Sequence, residues 1–322
     1  MSIMSTPTPV SELLKDVPHW EPQAKHLAIM AGNGGLPVHV VRNAQAQGYS
    51  VHVFCLGGWL VERQYKTFTP YVHPLNVGKF GAFLAHCHRY NISHVTFAGK
   101  VEKWVLFTQL QVDRLTLTLL KHIPRRNDDA MMRFLIELIE EMNMQIIPQV
   151  QFMETLFQPE GIQTPELPMS DDDWIDACFG FDLAKDMGRL DVGQTVVVHE
   201  TMAIAIEAIE GTDKCLLRAG KLLRGKGGCV AKVAKPEQDS RFDVPAVGLK
   251  TLKRMSQLGL TLLVTEANCT LFLDDIDVMT RYASTHGIRM ISASHEHLAP
   301  WREQLQARQY AAPPEEYQLK GG

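Results

Sequence analysis

The densest group of residues able to do chemistry lies between Val230 and Gly248, which reads V-A-K-V-A-K-P-E-Q-D-S-R-F-D-V-P-A-V-G. Lys232, Lys235 and Arg241 are residue types that hold phosphate oxygens. Asp239 and Asp243 stand among them, where a carboxylate can ligate a divalent cation, orient a water or accept a proton. Cations for an anionic substrate beside carboxylates for a metal or a water are what phosphoryl transfer needs. A solvated charged loop has the same composition, so the segment alone leaves both readings open. Its surroundings favour a ligand. Asp213 to Arg241 holds eight Lys/Arg against three Asp/Glu, in a chain whose net charge is −4. A local positive excess on a net-acidic chain suits a small anion and argues against a dedicated nucleic-acid binder.

The elements around this segment must position it. It follows a short apolar run that reads as a strand. Upstream, Leu190-Asp191-Val192-Gly193-Gln194 opens a hairpin of Thr195 to Val198 and Ala203 to Ile209. That hairpin delivers Glu207, Glu210, Gly211, Thr212 and Asp213 to one end. Thr212 is expected to cap a helix whose buried stripe is Cys215, Leu216, Ala219 and Leu222. Later units are a helix over Leu249 to Leu258, strands over Thr261 to Thr265 and Leu271 to Leu273, a helix over Asp275 to His286 and a strand over Ile288 to Ser292. Gly259 and Gly287 sit where helix C-termini favour glycine.

The first half reads as a β-loop-α-β unit. His26 to Met30 is an apolar strand, A-G-N-G-G-L-P a glycine loop, Val38 to Gln47 a helix and Val51 to Leu56 a second strand. A glycine loop opening a helix is the geometry that binds phosphate at a helix N-terminus, so Gly32 and Gly34 are candidate contacts. It is a poor dinucleotide fingerprint. Pro37 occupies the third glycine position, and no acid ends the second strand, which runs into Cys55-Leu56-Gly57-Gly58-Trp59. A helix near Val77 to Tyr90 and a strand from His94 to Ala98 follow. Lys100 stands at that strand's carboxyl end, where open α/β sheets bind ligands. Arg125 to Asp129 reads as a boundary before a helix running to about Asn143, then a strand from Gln145 to Val150 and a Pro- and Asp-rich surface excursion to Asp173.

The expected fold is therefore α/β: a Rossmann-like N-terminal domain followed by a distinct mixed α/β C-terminal domain. The expected divisions are an extension over 1–24, a first domain over 25–125, a catalytic domain over 126–294 and a tail over 295–322. At 322 residues, 45% hydrophobic and 21% charged, the chain suits two soluble domains with their own cores. No apolar run approaches the roughly 20 residues of a membrane helix, and no secretory signal opens the chain. Six scattered cysteines without a C-x-x-C pair suit reduced thiols in a cytosol. His86 and His88 are two apart and cannot share a helix face, so no zinc site is expected.

Taken in order, L-A-I-M-A-G-N-G-G-L-P, A-G-K-V, N-D-D-A-M-M-R, L-D-V-G-Q-T-V-V-V, E-A-I-E-G-T-D and K-P-E-Q-D-S-R-F-D-V-P-A-V-G resemble the LpxI family of UDP-2,3-diacylglucosamine pyrophosphatases over roughly residues 25 to 293. The resemblance implies a substrate cleft between two domains and Mg²⁺-dependent hydrolysis of UDP-2,3-diacylglucosamine to UMP and 2,3-diacylglucosamine 1-phosphate (lipid X) in lipid A synthesis, water attacking the β-phosphorus. By position, the family's Q-D-x-R-x-D falls on Gln238, Asp239, Arg241 and Asp243, its E-G-T-D on Glu210 to Asp213 and its D-V-G-Q on Asp191 to Gln194. The chain departs in carrying Asn127 before the paired aspartates, and in both terminal extensions.

On that basis Asp243 is the first candidate for the essential carboxylate, as metal ligand or water-positioning base. Asp239 and Arg241 join it as catalytic candidates, with Asp213 and Glu210 as further metal candidates. Lys232, Lys235, Lys100, Gln194, Thr212 and Gln238 are the substrate contacts. A non-catalytic nucleotide-sugar or lipid-binding protein of the same fold is the alternative. The resemblance places the enzyme in the cytoplasm, touching the inner membrane transiently, with self-association left open.

Overall fold

The computed structural model describes residues 9–56, 59–76, 78–99, 112–122, 128–236 and 244–309. The chain divides into two compact units after Glu154. In the first, β1 (His26–Ala31), β2 (Ser50–Cys55), β3 (Val72–Pro74), β4 (His94–Ala98) and β5 (Gln145–Ile146) form one sheet in the order β3-β2-β1-β4-β5. Every pairing is parallel. This is the order of a doubly wound sheet, with its switch point between β1 and β4. Such strands are covered on both faces, which is why Leu27 to Ala31 is buried without alternation. The helices are α1 (Val10–Leu13), α2 (Leu36–Ala46), α3 (Trp59–Tyr65), α4 (Phe80–Arg89), α5 (Arg114–Leu120) and α6 (Asp128–Glu141).

Three features of this unit differ from expectation. Residues 1–24 were expected to extend from the domain, yet Leu14 and Trp20 are buried in its core, and the Trp20 indole N–H donates to the Ile92 carbonyl at 3.1 Å. The division falls at 154/155 rather than 125/126, because β5 continues the first sheet beside β4 and α6 packs in the same core. The strand expected over 145–150 is shortened to β5. Pro148, which cannot donate to a ladder, then starts a 3₁₀ turn over Gln149–Phe152.

The second unit holds β6 (Gly161–Ile162), α7 (Asp171–Arg189), β7 (Thr195–His199), β8 (Met202–Ile206), α8 (Thr212–Leu223), β9 (Cys229–Lys232), β10 (Ala246–Val247), α9 (Leu249–Leu258), β11 (Leu262–Glu266), β12 (Leu271–Phe272), α10 (Ile276–Thr285), β13 (Arg289–Ala293) and α11 (Ala299–Gln309). Six strands make its main sheet in the order β6-β13-β11-β9-β7-β8. β9, β11 and β13 are parallel, while β7, β8 and β6 are antiparallel to their neighbours. Val230 faces the core under α8 and α9, whereas Cys229 and Ala231 face the core under α7. That alternation lets one four-residue strand serve two apolar layers.

Two helices exceed the sequence reading. α7 spans 19 residues where a surface excursion was expected up to Asp173. A Ser170–Asp173 capping box starts it, and Gly180 lets it approach the sheet, since a Cβ there would lie 3.1 Å from Ala231 Cβ. The expected tail contributes α11, which covers α7. Leu298 and Leu305 are buried, the Trp174 and Trp301 rings stack at 5.7 Å, and Arg302 binds the Asp182 carboxylate through Nε and Nη2 at 2.8 and 2.6 Å. Among the described residues no helix is long and apolar enough to cross a membrane.

Candidate functional site

In the first unit the glycine loop lies at the switch point. The Gly32 N–H donates to the Ala98 carbonyl at 2.9 Å, joining the ends of β1 and β4. Gly34 has φ +107°, open to glycine and strained for other residues, and Pro37 stands in the first turn of α2 as expected. Gly99, at φ +82°, lies against this loop: a Cβ there would come within 2.8 Å of the Asn33 carbonyl oxygen. The crevice is thus tight, with backbone N–H groups at a helix start. Lys100 lies outside the described residues.

In the second unit the candidates gather at the carboxyl ends of β9 and β11. Lys232 ends β9, level with Thr195 on β7 and Thr265 on β11. Its Nζ donates to Thr212 Oγ1 at 3.3 Å, and Thr212 Oγ1 donates in turn to Glu207 Oε1 at 2.9 Å. The other carboxylate oxygen of Glu207 is buried and has no hydrogen-bond partner among the described residues. Glu207 alternates with apolar neighbours in sequence, which suggests a solvent-facing strand position. Its side chain instead turns inward to Thr212, and Gly193 lets the Glu207 backbone come close: a Cβ at 193 would sit 2.1 Å from the Glu207 carbonyl oxygen. That contact is the physical reason for the glycine in D-V-G-Q. Thr212 does not cap α8 as expected. Gly211 is the cap, at φ +83°, and Thr212 is the first helical residue, so its hydroxyl is spent on Glu207 and Lys232.

The chain leaving β9 is gripped at once. The Val233 N–H donates to the Gln194 carbonyl at 3.1 Å, and Lys235 Nζ lies 2.6 Å from Asp191 Oδ1. Asp191 itself takes φ +55° just past the end of α7, a left-handed helix stop, so one residue ends the helix and aims a carboxylate at Lys235. The Gln194 side-chain oxygen is buried without a partner among the described residues. Between these contacts Glu266, the last residue of β11, accepts the Ala234 N–H at 2.8 Å. Lys185 of α7 donates to both Glu266 oxygens at 2.7 and 2.8 Å, and to the Ala234 carbonyl at 2.9 Å. Sequence reasoning missed Lys185 and Glu266. They lie 81 residues apart, and only the fold brings them to the same residue, Ala234.

The two remaining metal candidates are engaged elsewhere. Glu210 binds Arg218 Nη2 at 2.5 Å, and Asp213 binds Lys250 Nζ at 2.7 Å, both on the surface. Backbone N–H donation, with Arg218 adding to it, holds the Glu210 carboxyl below the usual range. Among the described residues no three His, Cys, Asp or Glu side chains gather as a metal cluster. Gln238, Asp239, Arg241 and Asp243 lie outside the described residues. Of the described residues on either side, Ala234 and Lys235 are bonded to Glu266 and Asp191, and the Pro245 carbonyl accepts from the Leu271 N–H at 2.9 Å.

Family models match both units in order. The LpxI N-terminal domain matches residues 26–156 and the LpxI C-terminal domain matches residues 159–291. The chain belongs to the LpxI family. A relative, the UDP-2,3-diacylglucosamine pyrophosphatase LpxI of Caulobacter vibrioides, is 30% identical over 263 residues, which cover 78% of this chain and 91% of the relative. The LpxI domains meet within a few residues of the division after Glu154. The glycine crevice falls in the first LpxI domain, while Gln194, Glu207, Thr212, Lys232, Lys235, Lys185 and Glu266 fall in the second.

Proposed function

We propose that this chain is a Mg²⁺-dependent pyrophosphatase that hydrolyses UDP-2,3-diacylglucosamine to UMP and lipid X in lipid A biosynthesis. Membership of the LpxI family and the relative's name support the substrate. One observation carries the chemistry: Lys232 meets Thr212 at the carboxyl end of β9, and Lys235, beside Asp191, follows three residues on, directly before the Q-D-S-R-F-D segment. A pyrophosphate diester repels nucleophiles with its two negative charges, so lysines there lower the barrier to attack. In this reading Lys232, Lys235 and Arg241 hold phosphate oxygens. Asp243 orients a water and takes its proton, with Asp239 beside it. The water oxygen bonds to the β-phosphorus, the bond from that phosphorus to the bridging oxygen breaks, and UMP leaves with the bridging oxygen.

The donor set suits a magnesium ion. Mg²⁺ is ordinarily held by one or two carboxylates, substrate phosphates and waters, so no three-acid cluster is required. The buried Glu207 oxygen with no partner among the described residues offers one more acceptor beside Thr212 and Lys232. Asp243 and Asp239 would hold the ion, and when bound it supplies charge neutralisation at the phosphates. Glu210 and Asp213 each keep a basic partner, so they rank below these. We place the protein in the cytoplasm, in transient contact with the inner membrane surface where the acylated substrate resides.

Hydrolysis in ¹⁸O-labelled water with Mg²⁺, followed by mass spectrometry, tests the reading. The label is expected in lipid X. Label in UMP would keep the reaction and overturn attack at the β-phosphorus. Binding without turnover would identify a nucleotide-sugar or lipid-binding protein instead.

A further inference from the structure

We propose that Lys185 and Glu266 are positioning residues for the reaction, a charged clamp that sets where the chain leaves β9, just past the ladder-held Lys232, and hence where Lys235 stands. The inference rests on the pyrophosphatase reading, since it assigns those two lysines to phosphate. Its structural basis is independent of that reading. Ala234 is held through both of its backbone polar groups: its N–H donates to Glu266 Oε2 and its carbonyl accepts from Lys185 Nζ, while the same Nζ binds both Glu266 oxygens. The pair is mostly covered, with side chains 28% and 15% exposed.

A half-buried ion pair is a weak choice for stability alone, because desolvation offsets most of its Coulomb attraction. This pair gains something an apolar pair cannot supply, a donor and an acceptor matched to one residue that has no ladder partner among the described residues. β9 ends at Lys232, and Val233 to Lys235 pairs with no strand among the described residues. Three side-chain and backbone contacts replace the ladder there: Gln194 on Val233, the clamp on Ala234, and Asp191 on Lys235. The clamp reaches across from α7 and β11 and ties Ala234, and with it Lys235, to the main sheet. Gly188 completes the fit, because a Cβ there would press on the Lys235 Cα at 3.2 Å.

Replacing both charges by apolar residues, in Lys185→Met with Glu266→Leu, separates positioning from stability. Loss of a buried pair to well-packed apolar groups is often neutral for folding. Because the Ala234 N–H and carbonyl here lose their partners, the thermal midpoint is expected to fall by some degrees while the protein stays folded at the assay temperature. Turnover of UDP-2,3-diacylglucosamine is expected to fall about 100-fold, mainly in kcat, since a misplacement of about 1 Å at a charge-stabilising group costs that much. Amide exchange at Val233 to Lys235 should rise in the same variant. A folded double variant with kcat within about threefold of wild type would overturn the proposal.

Should the double variant not fold, Glu266→Gln decides. It keeps the shape and an acceptor for Ala234, and kcat about 10-fold down with an unchanged thermal midpoint supports the clamp, whereas unchanged kcat overturns it. Wild-type protein without turnover would remove the pyrophosphatase reading. The clamp would then stand or fall on exchange at Ala234 alone, where protection unchanged in the variants refutes it.

Discussion

Lys232 illustrates how much one residue's place decides. In sequence it is one of eight basic residues between Asp213 and Arg241. In the fold it ends the central parallel strand, and its ammonium meets a threonine hydroxyl held by a carboxylate. Lys232→Met is expected to lower kcat/KM by about 100- to 1,000-fold, the usual cost of losing a charge-stabilising donor. Lys232→Arg should recover only part of this, because a planar fork does not replace a point charge. Steady-state kinetics with Mg²⁺ checks both. Asp243→Ala should abolish turnover while leaving the circular dichroism spectrum unchanged; near-normal activity would move the chemistry elsewhere. Gly193→Ala should destabilise the protein by about 3 kcal/mol in urea titration, the upper range for overpacking, because its Cβ would meet the Glu207 carbonyl oxygen at 2.1 Å. Gly193 was legible as part of a motif, but its reason was not, since Glu207 lies on the far side of the hairpin in sequence, just past β8.

At the scale of elements, α11 and the histidines of the first sheet carry the clearest tests. A sequence with adjacent prolines and mixed charge after Ser294 reads as a tail. Helix α11 nonetheless buries Leu298 and Leu305 and stacks Trp301 on Trp174. Ending the chain at Ser294 should therefore lower the thermal midpoint by many degrees or make the protein insoluble, where a true tail would have no effect. In the first sheet His26, His52, His73 and His86 come together from β1, β2, β3 and α4, flanked by Tyr71 and Tyr90, with Arg89 near His73. Burial, with neighbouring imidazoles adding to it, pulls His52 and His73 from 6.5 down to about 4. The unfolded chain then binds more protons between pH 6.5 and 4, so stability is full above 6.5 and falls as pH drops through that window. For buried His52 the loss is on the order of 2–3 kcal/mol. Urea midpoints at pH 7 and pH 4.5 measure it. His52→Phe, which keeps the stack on Tyr71, should flatten the difference, and an equal drop in that variant would count against the assignment. The spacing of His86 and His88 excluded a shared helix face, and said nothing of three partners on separate strands.

The whole molecule consists of two units with separate cores, the first a parallel doubly wound sheet and the second a mixed six-stranded one. Two cores give two candidate cooperative units, so scanning calorimetry should show a measured enthalpy larger than the van't Hoff enthalpy. A ratio of one would mean that the units unfold together. Their order along the chain follows from sequence alone, because apolar runs, glycine stops and the ordered LpxI motifs are local signals. Most helices and strands were legible for the same reason: periodicity and capping act within a few residues. The pairing of Lys185 with Glu266, the inward turn of Glu207, the histidine cluster and the docking of Trp20 and α11 were decided only by tertiary structure. Each joins residues far apart in the chain, through contacts whose geometry depends on strand order and helix approach, and neither quantity is written in any short stretch of residues.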